Sequence, residues 1–348
     1  MLFESAFSRA LAVTQLTGPT VSTRKQPENL NDSEKHLFAS SFRHDVLSSK
    51  MLELDNVTAH ANGLLYKNPT LLKESFVDVR EPSRSRRLRT LPRHLVSALT
   101  ADKVKEAVWV TDNWSRNYYH WLTDAMPRLY VATRHNPDLE ILLPSNFAAI
   151  AYTHQSLEPF RLKEIRILRE GQCARIEKFF LPSYVAETGN YNDDVIKKVG
   201  ELYRAYFGTS SPSVRRIYVS RNKAPVRQIS NEAEILPILS RYGFEIVHCE
   251  NLSFSEQVKL FSEASIITGP HGAGFVNMMF MHEGATVLEI HPRDQKINTC
   301  YFSMASAFNH SYFYMLAETA STTTPSHLDN MIVDPVKLQE QLEAVCGD

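Results

Sequence analysis

Residues 265–281 read SIITGPHGAGFVNMMFM, and this stretch decides the fold that the sequence predicts. An apolar strand runs to Thr268, a glycine-rich turn follows, and a helix begins after Gly272. Glycines let backbone N–H groups approach a ligand closely, and a helix N-terminus attracts phosphate. The spacing of Gly269, Gly272 and Gly274 differs from the dinucleotide pattern G-x-G-x-x-G. The turn therefore either binds phosphate or allows tight packing of the helix on the strand.

Strand and helix patterns alternate on both sides of this stretch. In the second half of the chain, strands are predicted at RIYVS (216–220), FEIVHC (244–249), SIITG (265–269) and TVLEI (286–290), with helices at 231–242 and 255–263. In the first half, strands at 107–111, 141–143, 165–168 and 178–181 alternate with helices at 118–135, 147–157 and 194–207. Short strands that alternate with helices indicate βαβ units and parallel sheets. Asn231, three residues before Glu234, is a candidate N-cap.

The two series are separated by GTSSPS (208–213), a turn-forming segment and the best candidate for a linker. Residues 51–79 read as short strands with turns at Asn62–Gly63 and Asn68–Pro69. We therefore predict an α/β protein of two Rossmann-like domains. The first covers residues 1–207 and begins with a β-rich part. The second covers residues 208–348, and its last helix is a candidate to pack back on the first domain.

Composition restricts the class of protein. The chain has 348 residues, enough for two domains of ordinary size. Hydrophobic residues make up 43% and charged residues 22%, as in soluble globular proteins. A formal net charge of −1 argues against a protein that mainly coats nucleic acid. The sequence gives no indication of an oligomeric state.

Cysteines and hydropathy bear on the compartment. The four cysteines lack C-x-x-C spacing, so they indicate neither a zinc site nor a disulfide framework. The first twenty residues carry Glu4 and Arg9 within their apolar stretch, so a signal peptide is not predicted. No segment approaches the roughly 18 apolar residues of a membrane span. We therefore expect a soluble, cytoplasmic protein.

Six arginines lie between Arg80 and Arg93, among them Arg84, Arg86, Arg87 and Arg89. Surfaces that bind nucleic acid usually interleave aromatic side chains with the basic ones, and this run has none. Nucleic acid is therefore not a predicted partner. The run is either a solvated linker or a contact for an anionic acceptor or a membrane surface.

Two residues near the glycine-rich turn are candidates for ligand binding. His271 lies between Pro270 and Gly272 at a predicted strand end, where it is a candidate donor to phosphate. Glu289 closes the next strand, where a carboxylate can accept a hydrogen bond from a ribose hydroxyl. The alternative for Glu289 is a solvated carboxylate at the strand end.

A second group follows the first strand of the second domain and reads Ser220-Arg-Asn-Lys223, with Arg227 shortly after. Ligands of open parallel sheets bind outside the carboxyl ends of the strands. Arg221 and Lys223 can neutralise a diphosphate without a metal, because a guanidinium and an ammonium both stabilise negative charge. The alternative is ordinary surface charge.

A third group reads NYYHWLTDAMPR (117–128) and lies on a predicted helix. His120 and Asp124 are four residues apart and share a helix face. A carboxylate there can accept a proton from a hydroxyl group, or the pair can simply hold the helix in place. A metal site is not predicted, because no third ligand has a recognisable spacing. The chain also has no D-x-D element.

In their order and spacing, three segments resemble glycosyltransferase family 61: NYYHWLTDAMPRL (117–129), the region from RIYVSRNKAPVRQ (216–228) to MMFM (278–281), and VLEIHP (287–292). The resemblance runs from about Val108 to Pro292. The family includes plant, animal and bacterial enzymes. Because no anchor or signal peptide is predicted, the chain is expected to resemble the bacterial polysaccharide-biosynthesis members most.

The resemblance implies a GT-B fold, with two Rossmann-like lobes facing across a cleft, and an inverting reaction without metal or other cofactor. The second domain would bind a nucleotide-sugar donor, expected to be UDP-linked. The first would bind the acceptor, a glycan or lipid-linked glycan, in capsule, exopolysaccharide or lipopolysaccharide synthesis, with possible contact at the inner membrane. Donor contacts are expected from Arg221, Lys223, Arg227, His271, Gly272, Ala273, Gly274 and Glu289.

The expected mechanism is a single in-line displacement. Asp124 acts as the base, His120 orients it or shares the proton, and Asn117, Tyr118 and Arg128 lie on the acceptor side. Two alternatives stay open: a non-catalytic partner that binds nucleotide sugars, and another transferase of polysaccharides, such as a pyruvyl transferase.

Overall fold

The structure is a computed structural model that describes residues 3–77, 100–209, 211–321 and 323–347. The chain divides into two compact units. Unit 1 comprises Met1–Thr20 and Val46–Thr188, and unit 2 comprises Val21–Asp45 and Gly189–Asp348. The predicted domain limits at residues 207 and 208 stay a prediction. The arginines from Arg80 to Arg93 lie outside the described residues.

The strands and helices alternate as the sequence predicts. The strands are β1 Phe3–Glu4, β2 Ala12–Gln15, β3 Thr20–Thr23, β4 Arg43–Val46, β5 Lys50–His60, β6 Leu65–Lys67, β7 Thr70–Leu72, β8 Asp102–Val108, β9 Glu140–Leu143, β10 Glu164–Ile167, β11 Cys173–Pro182, β12 Arg215–Val219, β13 Phe244–Val247, β14 Ala264–Pro270, β15 Thr286–Pro292, β16 Ser311–Thr319 and β17 Met331–Ile332. The α-helices are α1 Tyr118–His120, α2 Met126–His135, α3 Tyr152–Leu157, α4 Asp193–Phe207, α5 Glu232–Arg241, α6 Phe254–Ser262, α7 Cys300–Ala307 and α8 Pro335–Cys346.

Unit 1 is built on a mixed sheet in the order β1-β7-β6-β5-β11-β8-β9-β10, with β2 added to β5. Strand β11 is central, antiparallel to β5 and parallel to β8. Its residues Ala174, Ile176 and Phe179 join a buried apolar cluster. The predicted turn at Asn62–Gly63 lies between β5 and β6, so the predicted β-rich beginning is confirmed.

Unit 2 is built on a parallel sheet in the order β13-β12-β14-β15-β16, to which β17 adds antiparallel to β16. In chain order this is the 2-1-3-4-5 arrangement of doubly wound α/β sheets. The strands carry apolar runs because both faces are covered. The last helix, α8, packs Leu338, Leu342 and Val345 into the apolar core of unit 2.

One local prediction is confirmed in position only. Asn231 is the N-cap residue of α5, but its side chain forms no capping hydrogen bond. Its amide instead binds the strand region near the C-terminus, with Oδ1 accepting from the Val333 N–H at 3.0 Å and Nδ2 donating to the Val333 carbonyl at 2.8 Å. The Asn231 side chain therefore binds backbone groups of Val333, which is distant in sequence, rather than N–H groups in the first turn of α5. Among the described residues, no helix is both long and apolar enough to cross a bilayer.

Candidate functional site

The topology of unit 2 brings two of the predicted groups to one place. Strands β12 and β14 are parallel neighbours. The strand that follows β12 in the chain, β13, lies on one side of this pair, and the strand that follows β14, β15, lies on the other side. In such sheets ligands bind outside the carboxyl ends of the strands at this switch point. The segment with Arg221 follows β12, and His271 follows β14. We call the cluster of Arg221, Arg227, His271 and Gly272 the donor cluster.

The glycine-rich turn lets these side chains approach each other. Gly269 has φ +146°, and a Cβ there would lie 2.5 Å from the carbonyl oxygen of Val219, so only glycine fits. A Cβ on Gly272 would lie 2.1 Å from Nη1 of Arg221. The guanidinium of Arg221 therefore packs directly against the turn. The helix that follows, Ala273–Phe280, is 3₁₀-helical and begins at the predicted position, with Gly274 in its first turn.

Arg221 and Arg227 place two positive charges side by side. Arg221 donates to the Val226 carbonyl at 3.1 Å. Burial, and then the charge of Arg227, lower the pKa of Arg221. In the described part of the chain the buried Nε atoms of both arginines have no hydrogen-bond partner, and neither side chain has a salt-bridge partner, although the charge of Glu250 acts on Arg221 from a greater distance. Two close guanidinium groups without a salt bridge favour binding of an anion such as a diphosphate.

Lys223, also predicted on the donor side, is exposed and donates from Nζ to Oδ1 of Asn251 at 3.0 Å. A hollow of about 290 Å³ opens beside the donor cluster, lined by Arg227, His271, His291, Pro292, Lys296, Ile297, Asn298, Ser326 and Leu328. Two of its lining residues are cationic and none is acidic. The hollow therefore has the charge that a phosphate group requires.

His271 is held by Glu289. Its Nδ1 lies 2.5 Å from Oε1 of Glu289, while Tyr312 donates from its hydroxyl to Oε2 at 2.7 Å. His291 lies 3.2 Å from the same Oε2. Burial raises the pKa of Glu289, but the charges of His291 and His271 outweigh this and hold it well below its usual range. Burial lowers the pKa of His271, against the raising effect of Glu289.

The predicted position of Glu289 is wrong. Glu289 does not end its strand but lies inside β15, opposite Gly269, and it is fully buried. Both of its carboxylate oxygens already bind protein groups. A carboxylate so placed orients His271, and it has no open side toward a ribose. The sequence pattern indicated a strand with a glutamate near its end, but it did not indicate that His271 and Tyr312 would bind and bury the Glu289 carboxylate.

His271, Glu289 and His291 also form a group of described residues whose ligand atoms lie within 4.8 Å of one another, as metal ligands do. Their chemistry suits a divalent ion such as zinc. Two observations favour the hydrogen-bonded arrangement instead. The ligand atoms are already bonded to one another and to Tyr312, and the nearby charge of Arg227 disfavours a further cation, as its lowering effect on the pKa of His271 shows.

In unit 1 the predicted helix is interrupted at its functional segment. Helix α1 is followed by a π-helical turn, Trp121–Ala125, before α2 continues. Such turns occur frequently at functional sites. Asn117 caps α1, accepting from the Tyr119 N–H at 2.9 Å, and the rings of Tyr118 and Tyr152 meet edge to face. Both Asn117 and Tyr118 were predicted on the acceptor side.

His120 and Asp124 are hydrogen-bonded, with Nδ1 of His120 2.8 Å from Oδ2 of Asp124. Thr188 donates to the same Oδ2 at 3.0 Å, and Thr123 lies 3.3 Å from Oδ1. Asp124 is only 6% exposed, whereas His120 lines a hollow of about 600 Å³. Since Nδ1 is bound to Asp124, the nitrogen of His120 that a ligand can reach is Nε2. The histidine is thus the more accessible member of the pair.

Arg128 does not lie on an acceptor surface, so this prediction is wrong. Its side chain is 2% exposed, and it donates from Nε to the Pro182 carbonyl at 2.9 Å and from Nη1 to the Val110 carbonyl at 2.8 Å. Asp112 lies 3.8 Å from Nη1, and the guanidinium stacks over Tyr184. Arg128 follows Asp124 by about one helical turn, and its side chain faces the interior. There it links the chain at Val110 and Pro182 through its hydrogen bonds.

Several residues of these clusters were not predicted. His291 follows Glu289 by two positions, so the alternation of a strand indicates that both point to one face. That signal was readable. Thr188, Tyr312 and Asp112 come from distant parts of the chain, and no local pattern marks them. Trp114 precedes the predicted helix motif by three residues and lines the same hollow as His120.

Part of the chain matches a known protein family. Residues 118–288 match the model of the family described as Glycosyltransferase 61, which confirms the predicted family domain over this segment. The matched segment holds His120, Asp124, Arg221 and His271. Residues 118–288 therefore resemble a glycosyltransferase 61 domain.

Two curated relatives carry names of transferases. The chain is 24% identical over 216 residues to the EGF domain-specific O-linked N-acetylglucosamine transferase of Drosophila melanogaster, covering 54% of this chain and 41% of the relative. It is 40% identical over 70 residues to the human Protein O-linked-mannose beta-1,4-N-acetylglucosaminyltransferase 2, covering 19% of this chain and 12% of the relative. The chain thus matches less than half the length of either relative. Both are animal proteins, whereas the sequence favoured the bacterial type.

Proposed function

We propose that this protein transfers a sugar from a nucleotide-sugar donor to a hydroxyl group of a glycan. The observation that carries the proposal is the pair of guanidinium groups without a salt bridge, Arg221 and Arg227, beside His271 at the switch point of a parallel sheet. That arrangement suits a diphosphate, which is the leaving group of a nucleotide sugar. The glycosyltransferase 61 match over residues 118–288 supports the same reaction.

The proposed chemistry is an inverting displacement. Nε2 of His120 accepts the proton of the acceptor hydroxyl as its oxygen bonds to the anomeric carbon. The bond from that carbon to the phosphate oxygen breaks, and its electron pair leaves with the nucleoside diphosphate. Arg221 and Arg227 stabilise the negative charge that develops there.

The roles within the acceptor-side pair follow from burial. Asp124 is enclosed and accepts three hydrogen bonds, so it fixes the ring of His120 and stabilises the imidazolium that forms. This assigns proton transfer to His120 and positioning to Asp124, the reverse of the order expected from the sequence. Both residues stay in the proposed machinery.

The proposal also covers the metal requirement, the identity of the donor and the biological setting. We propose a metal-independent reaction of the GT-B type, because two guanidinium groups can supply the charge that a metal otherwise provides. The names of both relatives refer to N-acetylglucosamine, so UDP-N-acetylglucosamine is the first donor to test. The setting in bacterial surface polysaccharide synthesis, at or near the cytoplasmic membrane, rests on the sequence resemblance alone.

Calorimetric titration of the full chain with UDP, GDP, UDP-N-acetylglucosamine and phosphoenolpyruvate tests the proposal. We expect a nucleoside diphosphate and its sugar to bind and phosphoenolpyruvate not to bind. Mass spectrometry of reactions with an oligosaccharide panel should then show the added sugar. Binding without transfer or donor hydrolysis would indicate a non-catalytic nucleotide-sugar partner. The absence of any nucleotide binding would overturn the proposal.

A further inference from the structure

The hollow in unit 1 that His120 lines also contains the side chain of Trp114. It is lined by Asn113, Trp114, Arg116, Asn117, His120 and Ile150 and has a volume of about 600 Å³, within the range of small-molecule sites. We propose that Trp114 is the platform on which a pyranose ring of the acceptor stacks, so that the hollow is a carbohydrate subsite. This inference rests on the proposed function, because it names the acceptor that His120 would deprotonate.

Trp114 differs from the other tryptophans of the chain. Trp109 and Trp121 are fully buried, and their indole N–H groups donate to the Thr111 carbonyl and to the Ser156 hydroxyl. Trp114 is 40% exposed. Leaving a large aromatic ring in water is unfavourable, and burying it again under a ligand recovers that free energy. An exposed tryptophan in a hollow next to a hydrogen-bonded histidine–aspartate pair therefore suits a ligand.

The platform is fixed before a ligand arrives. Oδ1 of the buried Asp112 accepts from the backbone N–H of Trp114 at 2.8 Å and from the backbone N–H of Ser115 at 3.1 Å. The Ser115 hydroxyl in turn accepts from the Asp112 N–H at 3.0 Å. Tyr184 donates to Oδ2 of Asp112 at 2.5 Å. A loop held at this many points loses little entropy when it binds a ligand.

The surroundings of Trp114 match a sugar better than a purely apolar ligand. The C–H bonds on one face of a pyranose are apolar and pack on the electron-rich face of an aromatic ring. The amides of Asn113 and Asn117 and the guanidinium of Arg116 can bind the hydroxyl groups at the ring edge. The ring centroids of Trp114 and His120 are 5.0 Å apart. A sugar on Trp114 therefore has its hydroxyl groups within reach of His120.

Fluorine NMR of the full chain labelled with 5-fluorotryptophan tests binding without any reaction. The three tryptophans give three resonances, and the Trp114→Phe variant assigns the exposed one. Methyl β-glycosides of glucose, galactose, N-acetylglucosamine and glucuronic acid are titrated to millimolar concentrations, with sorbitol as an acyclic control. We expect at least one glycoside to shift the Trp114 resonance and to leave the two buried ones in place. A Trp114 resonance that no glycoside moves, or that sorbitol moves equally, would overturn the inference.

A kinetic comparison separates this inference from the proposed function. In an oligosaccharide transfer assay, Trp114→Ala should raise the acceptor KM about tenfold or more, as expected for loss of an aromatic stacking partner, while UDP affinity and donor hydrolysis stay unchanged. Phe7→Ala is the matched control, because Phe7 is an exposed aromatic residue of the same unit outside the hollow. If transfer occurs to a peptide hydroxyl with the same KM in both variants, the carbohydrate subsite is wrong while the transferase proposal stands. If the wild-type chain binds no nucleotide, the proposed function fails whatever the NMR result.

Discussion

Nδ1 of His120 lies 2.8 Å from Oδ2 of the buried Asp124, and the same imidazole lines the hollow that contains Trp114. A buried carboxylate hydrogen-bonded to an accessible histidine fixes the orientation of the ring. This geometry predicts different results for the two residues. His120→Ala should lower the transfer rate about 10²–10⁴-fold, because the proton acceptor is lost. Initial rates and UDP affinity should be measured together, with affinity unchanged.

Asp124→Asn should act through His120. Loss of the negative charge removes the partner that fixes the His120 ring and stabilises the imidazolium formed in the reaction, so the transfer rate should fall, though less than in His120→Ala, while UDP affinity and melting temperature stay near their wild-type values. A purely structural role of Asp124 would lower the melting temperature, and the rate would then fall only with the folded fraction. A normal rate for His120→Ala with complete loss for Asp124→Asn would make Asp124 the base.

Arg221→Ala should weaken binding of a nucleoside diphosphate more than binding of the nucleoside. Charge-assisted hydrogen bonds contribute about 1.5–3 kcal/mol, so roughly a tenfold or larger loss is expected for UDP and little change for uridine. Calorimetry on both ligands measures this. Arg241→Ala, at the exposed end of α5, is the matched control and should bind UDP normally. Equal losses for UDP and uridine would place Arg221 away from the phosphates.

Replacing Gly269 or Gly272 by alanine should have different effects on thermal stability and on UDP binding. Gly272→Ala puts a Cβ where Nη1 of Arg221 lies, so it should displace the guanidinium and weaken UDP binding with little change in melting temperature. Gly269→Ala meets the Val219 backbone at a positive φ, so it should lower the melting temperature. Thermal unfolding and UDP titration of both variants check the contrast. A stable, fully binding Gly272→Ala protein would contradict the position assigned to Arg221.

Donor binding should not depend on a metal ion, because Arg221 and Arg227 supply the positive charge. UDP affinity is measured after dialysis against EDTA and again with added magnesium, manganese or zinc, and it should be the same throughout. A large loss on chelation that a divalent ion restores would contradict the prediction. If His291→Ala abolished the restoration, the ion would belong to His271, Glu289 and His291.

The stability of unit 2 should fall in mild acid partly through His310. Burial lowers its pKa to about 4, whereas in the unfolded chain histidine titrates near 6.5. The unfolded state therefore binds more protons between these values, and stability is lost as the pH falls below about 6.5. His310 contributes a loss of roughly 2 kcal/mol between pH 7 and pH 5.

Urea unfolding at both pH values measures this, with His310→Gln as the comparison. Glutamine can still donate to the Met278 carbonyl, as Nε2 of His310 does at 3.1 Å, but it does not titrate. We expect a smaller acid-induced loss in this variant. Equal losses in the two proteins would mean that His310 is protonated in the folded state or that other groups dominate.

Local patterns in the sequence predicted the alternation of strands and helices, the glycine-rich turn after β14 and the resemblance of residues 118–288 to glycosyltransferase family 61. These features depend on neighbours within a few positions, because periodicity, turn chemistry and helix spacing are local. The pairing of His120 with Asp124 was readable for the same reason, since residues four apart share a helix face.

Only the tertiary structure decided what each polar side chain faces. Glu289 was assigned to a ribose because it was predicted at a strand end, and Arg128 was expected on the acceptor side from the family resemblance. In the fold, Arg128 binds the carbonyl groups of Val110 and Pro182, and Glu289 binds His271 and Tyr312. Burial and long-range hydrogen bonds depend on strands distant in sequence. Which charged groups become buried is therefore determined by strands that are distant in sequence, and no local pattern records it.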